Sequence, residues 1–183
     1  MSTEKTEIVT EQNKEMIEFF DKQLERTNYW LSFAEAKNGA LLAINVAIMA
    51  VIVSLFDSAP IICTVSIICF IVSSVACLKS FFPNTNSRPE KREKSDLKQG
   101  EEDNLLFYGD IAKIASTFEY VELSSKRYFP GKAIIKDDKM IYDLASEILI
   151  NSRITLQKYT DFKRAVKIDL LALLMTMLLF IIA

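Results

Sequence analysis

The residues with the clearest chemical potential lie near the end of the chain. Asn151, Ser152 and Thr155 interrupt an otherwise apolar helical stripe, with Arg153 and Lys158 beside them. Guanidinium and ammonium groups next to amide and hydroxyl groups suit an anion such as a phosphate, since charge-assisted hydrogen bonds are the strong ones. Lys158 also has a simpler account, the bias of basic residues toward the cytoplasmic end of a membrane span. Asn45 is the second feature of this kind. It stands in an uncharged apolar run, where an amide prefers another helix to lipid. There it can pin helix packing or an oligomer interface, or line a conduction path.

Catalysis is not expected. The chain has no histidine, which removes the commonest general base and metal ligand together. It also lacks a glycine-rich phosphate loop, a nucleophile elbow and metal-ligand spacing. Its four glycines, Gly39, Gly100, Gly109 and Gly131, are scattered. The carboxylate pairs Glu101–Glu102 and Asp137–Asp138 fall in linker or helix-cap positions. Cys63, Cys69 and Cys77 lie inside one apolar block and read as small core residues. No catalytic residue, metal site or bound cofactor is therefore expected. With a net charge of −2 nothing suggests a duplex nucleic-acid binder, and no nucleic acid polymer is expected as a partner. The polar, acidic N-terminus lacks the basic start and apolar stretch of a signal peptide.

The elements that must position these residues are helices. Two uncharged runs, 39–56 and 59–78, are each long enough to cross a bilayer's roughly 30 Å hydrocarbon core. Asp57-Ser58 joins them into a hairpin, and Pro60 suits the first turn of the second helix. A third block, 166–183, ends the chain, with Lys167 and Asp169 at its start. Lys167 can snorkel to the headgroups and Asp169 can sit at the interface. Basic residues precede the first span, follow the second and precede the third, while the hairpin loop has none. This places the N-terminus and the middle region in the cytoplasm and Ala183 outside.

The cytoplasmic part is also helical. Ile17, Phe20, Leu24 and Leu31 recur at helical spacing and run straight into the first span. Tyr29, Trp30 and Phe33 fit either an interfacial aromatic belt or packing in the domain. After the second span, Phe82-Pro83 and a dense charge run mark an exposed linker. Phe107, Ile111, Ile114, Phe118 and Val121 predict one helix over 104–127, ended by Tyr128-Phe129-Pro130-Gly131. A second long helix starts near Asp137 or Asp138. Its stripe of Ile141, Ala145, Ile148, Ser152, Thr155, Tyr159, Phe162 and Val166 continues into the third span.

These segments resemble a known family. Phe33-Ala34-Glu35-Ala36-Lys37-Asn38 followed by GALLAIN is similar to the entry into the first span of the transmembrane effectors of Pycsar, a bacterial anti-phage system, with Glu35 in place of an aspartate. Phe82-Pro83 with its polar turn, DNLLFYGDIA at 103–112 and ILINSRITLQKYTDFKRAVKIDLL at 148–171 are similar too. The resemblance covers most of the chain from about Leu31. It implies a membrane effector with no enzymatic activity. A cognate cyclase makes a cyclic pyrimidine mononucleotide, cyclic UMP or cyclic CMP, during infection. The effector then damages the bacterial inner membrane, and the host dies or stops growing before phage are released. With that implication, Lys37, Asn38, Arg153 and Lys158 become the candidate ligand contacts.

The expectation is an all-α membrane protein with three transmembrane helices, N-terminus in and C-terminus out. Its cytoplasmic helical bundle is continuous with spans one and three. The divisions are an N-terminal stalk at 1–38, a hairpin at 39–79, a cytoplasmic domain at 80–165 with its charged linker at 83–103, and the third span at 166–183. The bilayer and a cyclic mononucleotide are its partners, and it acts as a homo-oligomer. The alternatives are a constitutive scaffold that docks a protein, or an effector tuned to a cyclic oligonucleotide.

Overall fold

A computed structural model describes residues 2–81, 103–131 and 138–182, without the side chains of 2–12 and 178–182. The charged linker expected at 83–103 lies outside the described residues except for Asp103, as does Asp137. Every regular element among the described residues is helical. The order is α1 (Ser2–Ser54), a 3-10 turn (Phe56–Ser58), α2 (Pro60–Lys79), α3 (Tyr108–Ile111), α4 (Thr117–Tyr128) and α5 (Lys139–Ile182).

Local chemistry accounts for the ends. Pro60 opens α2, where its missing N–H would have had no partner. Asp138 caps α5, its Oδ1 accepting from the Met140 N–H at 3.0 Å. Gly131, past the end of α4, adopts φ +82°, a left-handed conformation that suits a residue without Cβ. No proline or glycine breaks α5, and Gly39 alone falls inside α1. Two stretches are long and apolar enough to cross a membrane, Asn13–Ser54 within α1 and all of α2. α5 continues unbroken through the third apolar block.

The chain forms two compact units, to both of which α1 and α5 contribute. The first comprises Met1–Leu31 and Thr85–Leu156, the second Ser32–Asn84 and Gln157–Ala183. The first unit has an ordinary apolar core. Met16 and Phe20 of α1 meet Leu105, Ile111, Ile114, Tyr120 and Val121, with Ile141, Ala145, Ile148 and Leu149 of α5. Phe20 and Tyr120 pack edge to face at 5.7 Å, a favoured aromatic geometry. The Tyr120 hydroxyl donates to the Leu105 carbonyl at 3.3 Å, and burial pushes its pKa well above the usual tyrosine range.

The single helix expected over 104–127 is two. The Asn104 side chain accepts from the Leu106 N–H at 2.9 Å, which favours a turn there. Ser116 then restarts the helix. Its hydroxyl accepts from the Glu119 N–H, and Glu119 accepts in return from the Ala115 N–H, both at 3.2 Å. This is a variant of the capping box, and its Ser-x-x-Glu spacing is present in the sequence. The break turns the expected seam: Ile111, Ile114 and Val121 are buried, while Phe107 and Phe118 face outward.

The seam of α1 is also displaced. Phe20 is buried as expected, but Ile17, Leu24 and Leu31 are only half-buried. The buried positions include Gln23, Thr27, Asn38 and Asn45. These polar residues can enter the interior because most find backbone partners. Gln23 donates to the Leu106 carbonyl at 3.0 Å, and Thr27 to the Gln23 carbonyl at 2.9 Å. Along α5, Ile141 to Thr155 are buried as expected. Beyond Thr155 the buried line passes to Lys158, Ala165 and Asp169, leaving Tyr159, Phe162 and Val166 half-buried.

Candidate functional site

The second unit brings Lys37, Asn38 and Lys158 into one neighbourhood. α1 presents Glu35, Lys37 and Asn38 within a single turn, and α5 presents Lys158, Tyr159 and Phe162. The Lys158 ammonium donates to the Ser80 carbonyl, just past the end of α2, where a helix leaves carbonyls without intrahelical donors. It also pairs with Glu35 Oε1 at 3.1 Å; the lysine side chain is 10% exposed and the glutamate 46%. Lys158 thus ties three helix segments, and its charge is balanced by a carboxylate that solvent reaches. Asn38 is fully buried. Its amide donates to the Ala34 carbonyl at 2.9 Å and to the Lys158 carbonyl at 3.4 Å, while its own oxygen has no hydrogen-bond partner.

Lys37 is placed differently. Its ammonium lies 4.7 Å from the Phe33 ring centroid, 5.3 Å from that of Tyr159 and 5.7 Å from that of Phe162. These are cation–π distances, and three rings around one ammonium form a half-buried box that joins positive charge to aromatic faces. That pairing is what an anion carrying an aromatic base would need.

Arg153 belongs to the first unit. Its guanidinium donates to the Ile114 carbonyl at 2.7 Å and the Ala115 carbonyl at 3.3 Å, holding the break between α3 and α4 against α5. Asn151 donates to Asn28 at 2.8 Å, and Thr155 to the Asn151 carbonyl. The polar run at 151–155 is thus partly occupied in joining α5 to α1 and to the segment before α4.

Asn45 anchors a polar network inside the second unit. Its amide donates to Ser73 Oγ at 3.1 Å, and the Ser73 hydroxyl donates to the Ala165 carbonyl at 3.4 Å. Asp169 lies beside both and is buried within the unit. Further along the same helices Ser66 and Thr176 share a hydrogen bond of 2.6 Å. Meanwhile Ile61, Val65, Ile68, Ile71, Val72 and Val75 of α2 face outward, as do Leu170, Leu171 and Leu174 of α5. The polarity of this unit is partly inverted: hydroxyls and amides share its interior with the small cluster of Ile52, Cys63, Phe70 and Ala172, while many aliphatic side chains lie outside. Sequence reasoning missed Ser66, Ser73 and Ser80, although their spacing of seven residues was readable. Among the described residues no group of histidine, cysteine and carboxylate side chains is arranged to hold a metal ion.

A model of the Pycsar effector protein domain matches residues 19–183. The chain belongs to the Pycsar effector family. It is 30% identical over 147 residues to the Pycsar effector protein RsPycTM of a Rhizobium species, covering 76% of this chain and 80% of that protein. No solved structure matches. The resemblance carried by the segments at 33–38, 103–112 and 148–171 is therefore family membership. This Pycsar effector acts in anti-phage defence and is not an enzyme. As a Pycsar effector it answers to a cyclic nucleotide messenger, and two of its helices are long and apolar enough to cross a membrane.

Proposed function

We propose that this Pycsar effector spans the bacterial inner membrane three times, N-terminus inside, and breaches it when a cyclic pyrimidine mononucleotide, cyclic UMP or cyclic CMP, binds. The observation that carries the reading is the partly inverted polarity of the second unit. Aliphatic side chains on the outside of a helical bundle are costly in water and favoured in hydrocarbon, so lipid is the solvent they suit. The placement of lysine and arginine supports the inward N-terminus, and α5 supplies the third crossing. The divisions at 1–38, 39–79, 80–165 and 166–183 follow from those crossings.

Lys37, Asn38 and Lys158 are the proposed ligand contacts in the second unit. The aromatic box around Lys37 offers ring faces to a base, and stacking on such faces tolerates different bases. The cyclic phosphate competes with Glu35 for Lys158. A ligand shifts a conformational balance only by binding one state more tightly, and this exchange of partners supplies such a difference. Arg153, in the first unit, is a separate proposed anion contact. A homo-oligomer adds the ligand energies of several copies.

Dye leakage from liposomes holding the purified protein tests the reading, with cyclic UMP, cyclic CMP, cyclic AMP and cyclic oligonucleotides added in turn. The expected result is leakage with one pyrimidine mononucleotide and a weaker response in Lys37→Ala. Leakage with a cyclic oligonucleotide alone overturns the choice of messenger. Silence with every nucleotide, in protein shown to be folded and inserted, favours a constitutive scaffold.

A further inference from the structure

The polar residues inside the second unit form a ladder. On α1, Asn38 and Asn45 are seven residues apart, and on α2 so are Ser66, Ser73 and Ser80. On α5, Asp169 and Thr176 repeat the interval. Seven residues advance a helix by about 10.5 Å and return it to nearly the same face. The rungs are therefore stacked along the interior: Lys158 with Glu35, Asn38 and the Ser80 carbonyl, then Asn45 with Ser73 and Asp169, then Ser66 with Thr176.

Helix packing explains part of this ladder. Asn45 and Ser73 pin α1 to α2, and Ser73 reaches the Ala165 carbonyl of α5. Packing does not require the carboxylate. Asp169 is 5% exposed; Ser73 and Asn45 stand close to its carboxylate, but Asn45 donates to Ser73 and Ser73 to the Ala165 carbonyl, and neither Asp169 oxygen accepts a well-formed hydrogen bond. The Asn45 oxygen beside it is also unpartnered. The middle rung thus has a surplus of acceptors, and the basic residue of the ladder, Lys158, already has Glu35 and the Ser80 carbonyl. Ionisable groups at membrane depth mark ion pathways, and acidic side chains lining such a pathway select cations.

Next to these rungs the interior is closed by apolar side chains. Phe70, midway between Ser66 and Ser73 on α2, is fully buried with Ile52, Cys63 and Ala172. An apolar constriction in a polar-lined path is a gate, since it excludes water until it widens.

We propose that this polar ladder lines the route by which cations leak across the membrane, with Phe70 as its gate and Asp169 as the residue that makes it prefer cations to anions. The inference rests on the membrane-breaching reading and specifies its form, a selective path in place of general disruption. Asp169 is a selectivity residue and need not contact the messenger.

Planar-bilayer currents under a potassium chloride gradient test it. The samples are wild type with cyclic UMP or cyclic CMP, the same protein carrying Asp169→Asn or Asp169→Glu, and Phe70→Ser without nucleotide. Wild type and Asp169→Glu are expected to reverse near the potassium potential, while Asp169→Asn reverses closer to zero. Phe70→Ser is expected to leak unprompted with the cation preference retained. A residue that only pins helices would leave the reversal potential unmoved when Asn replaces Asp, and that result overturns the proposal. So does a wild-type current that carries chloride and potassium alike. A cation-selective current in Phe70→Ser beside silent wild type upholds the ladder and overturns the messenger reading. Silence in both, with insertion verified, overturns the ladder.

Discussion

The two units contrast in what they bury, although α1 and α5 help build both. In the first, Phe20, Ile111, Tyr120 and Ile148 are inside, and pairs such as Lys22–Glu18 and Lys126–Glu122 lie on the surface. In the second, Asn38, Asn45, Ser73 and Asp169 are inside, and Ile61, Ile68, Leu171 and Leu174 are outside. The difference teaches that "inside" in this chain is set by the solvent each unit suits. Water drives aliphatic groups together, whereas lipid is as apolar as leucine and leaves helix association to packing and hydrogen bonds.

The largest effect is expected from Phe20→Ala. Removing a fully buried ring from an apolar core costs about 3–5 kcal/mol, read as a shift in the denaturation midpoint followed by Trp30 fluorescence. An unchanged midpoint would mean that the first unit is not held by that core. Next is Ile68→Lys on the outward face of α2. A lysine facing hydrocarbon near the middle of a span costs about 2.5–3.5 kcal/mol, so the inserted fraction in a translocation assay should fall. The same insertion as wild type would place that face in water and remove the contrast between the units.

The smallest effect concerns charge at the edge of the first unit. Burial raises the Asp110 carboxyl, but the Lys113 ammonium at 2.6 Å and the Asn104 N–H outweigh it and hold the pKa below the usual aspartate range. A lowered folded pKa contributes stability above the ordinary carboxylate value, and that stability is lost as pH falls through the lowered one. Asp110→Asn should therefore cost about 1 kcal/mol at neutral pH and nothing in strong acid. A deficit that stays constant down to low pH would point to packing and not to the ion pair.

Much of the fold was legible because it depends on local signals. Pro60, Asp138 and Gly131 mark helix ends by their own backbone chemistry, and uninterrupted apolar runs identify α2 and the lower part of α1. The break before Thr117 was readable in Ser116 and Glu119, but the apolar spacing across it imitated one continuous helix. The candidate site was less legible. Arg153 resembles an anion receptor in sequence, yet it holds the carbonyls of Ile114 and Ala115, distant positions that spacing along α5 does not encode. The aromatic box around Lys37 joins Phe33 of α1 to Tyr159 and Phe162 of α5, residues far apart in the chain.

By itself the sequence determined the long helices α1, α2 and α5 and the family, because periodicity, composition and motif order are properties of the chain. Only the tertiary structure decided which face turned inward along α1 and along α5 beyond Thr155. A side chain such as Asn45, Ser73 or Asp169 is polar wherever it stands. Whether it meets water, lipid or another polar group depends on partners that α1, α2 and α5 supply from remote parts of the chain, and the energy of a buried hydrogen bond exists only once both partners are in place.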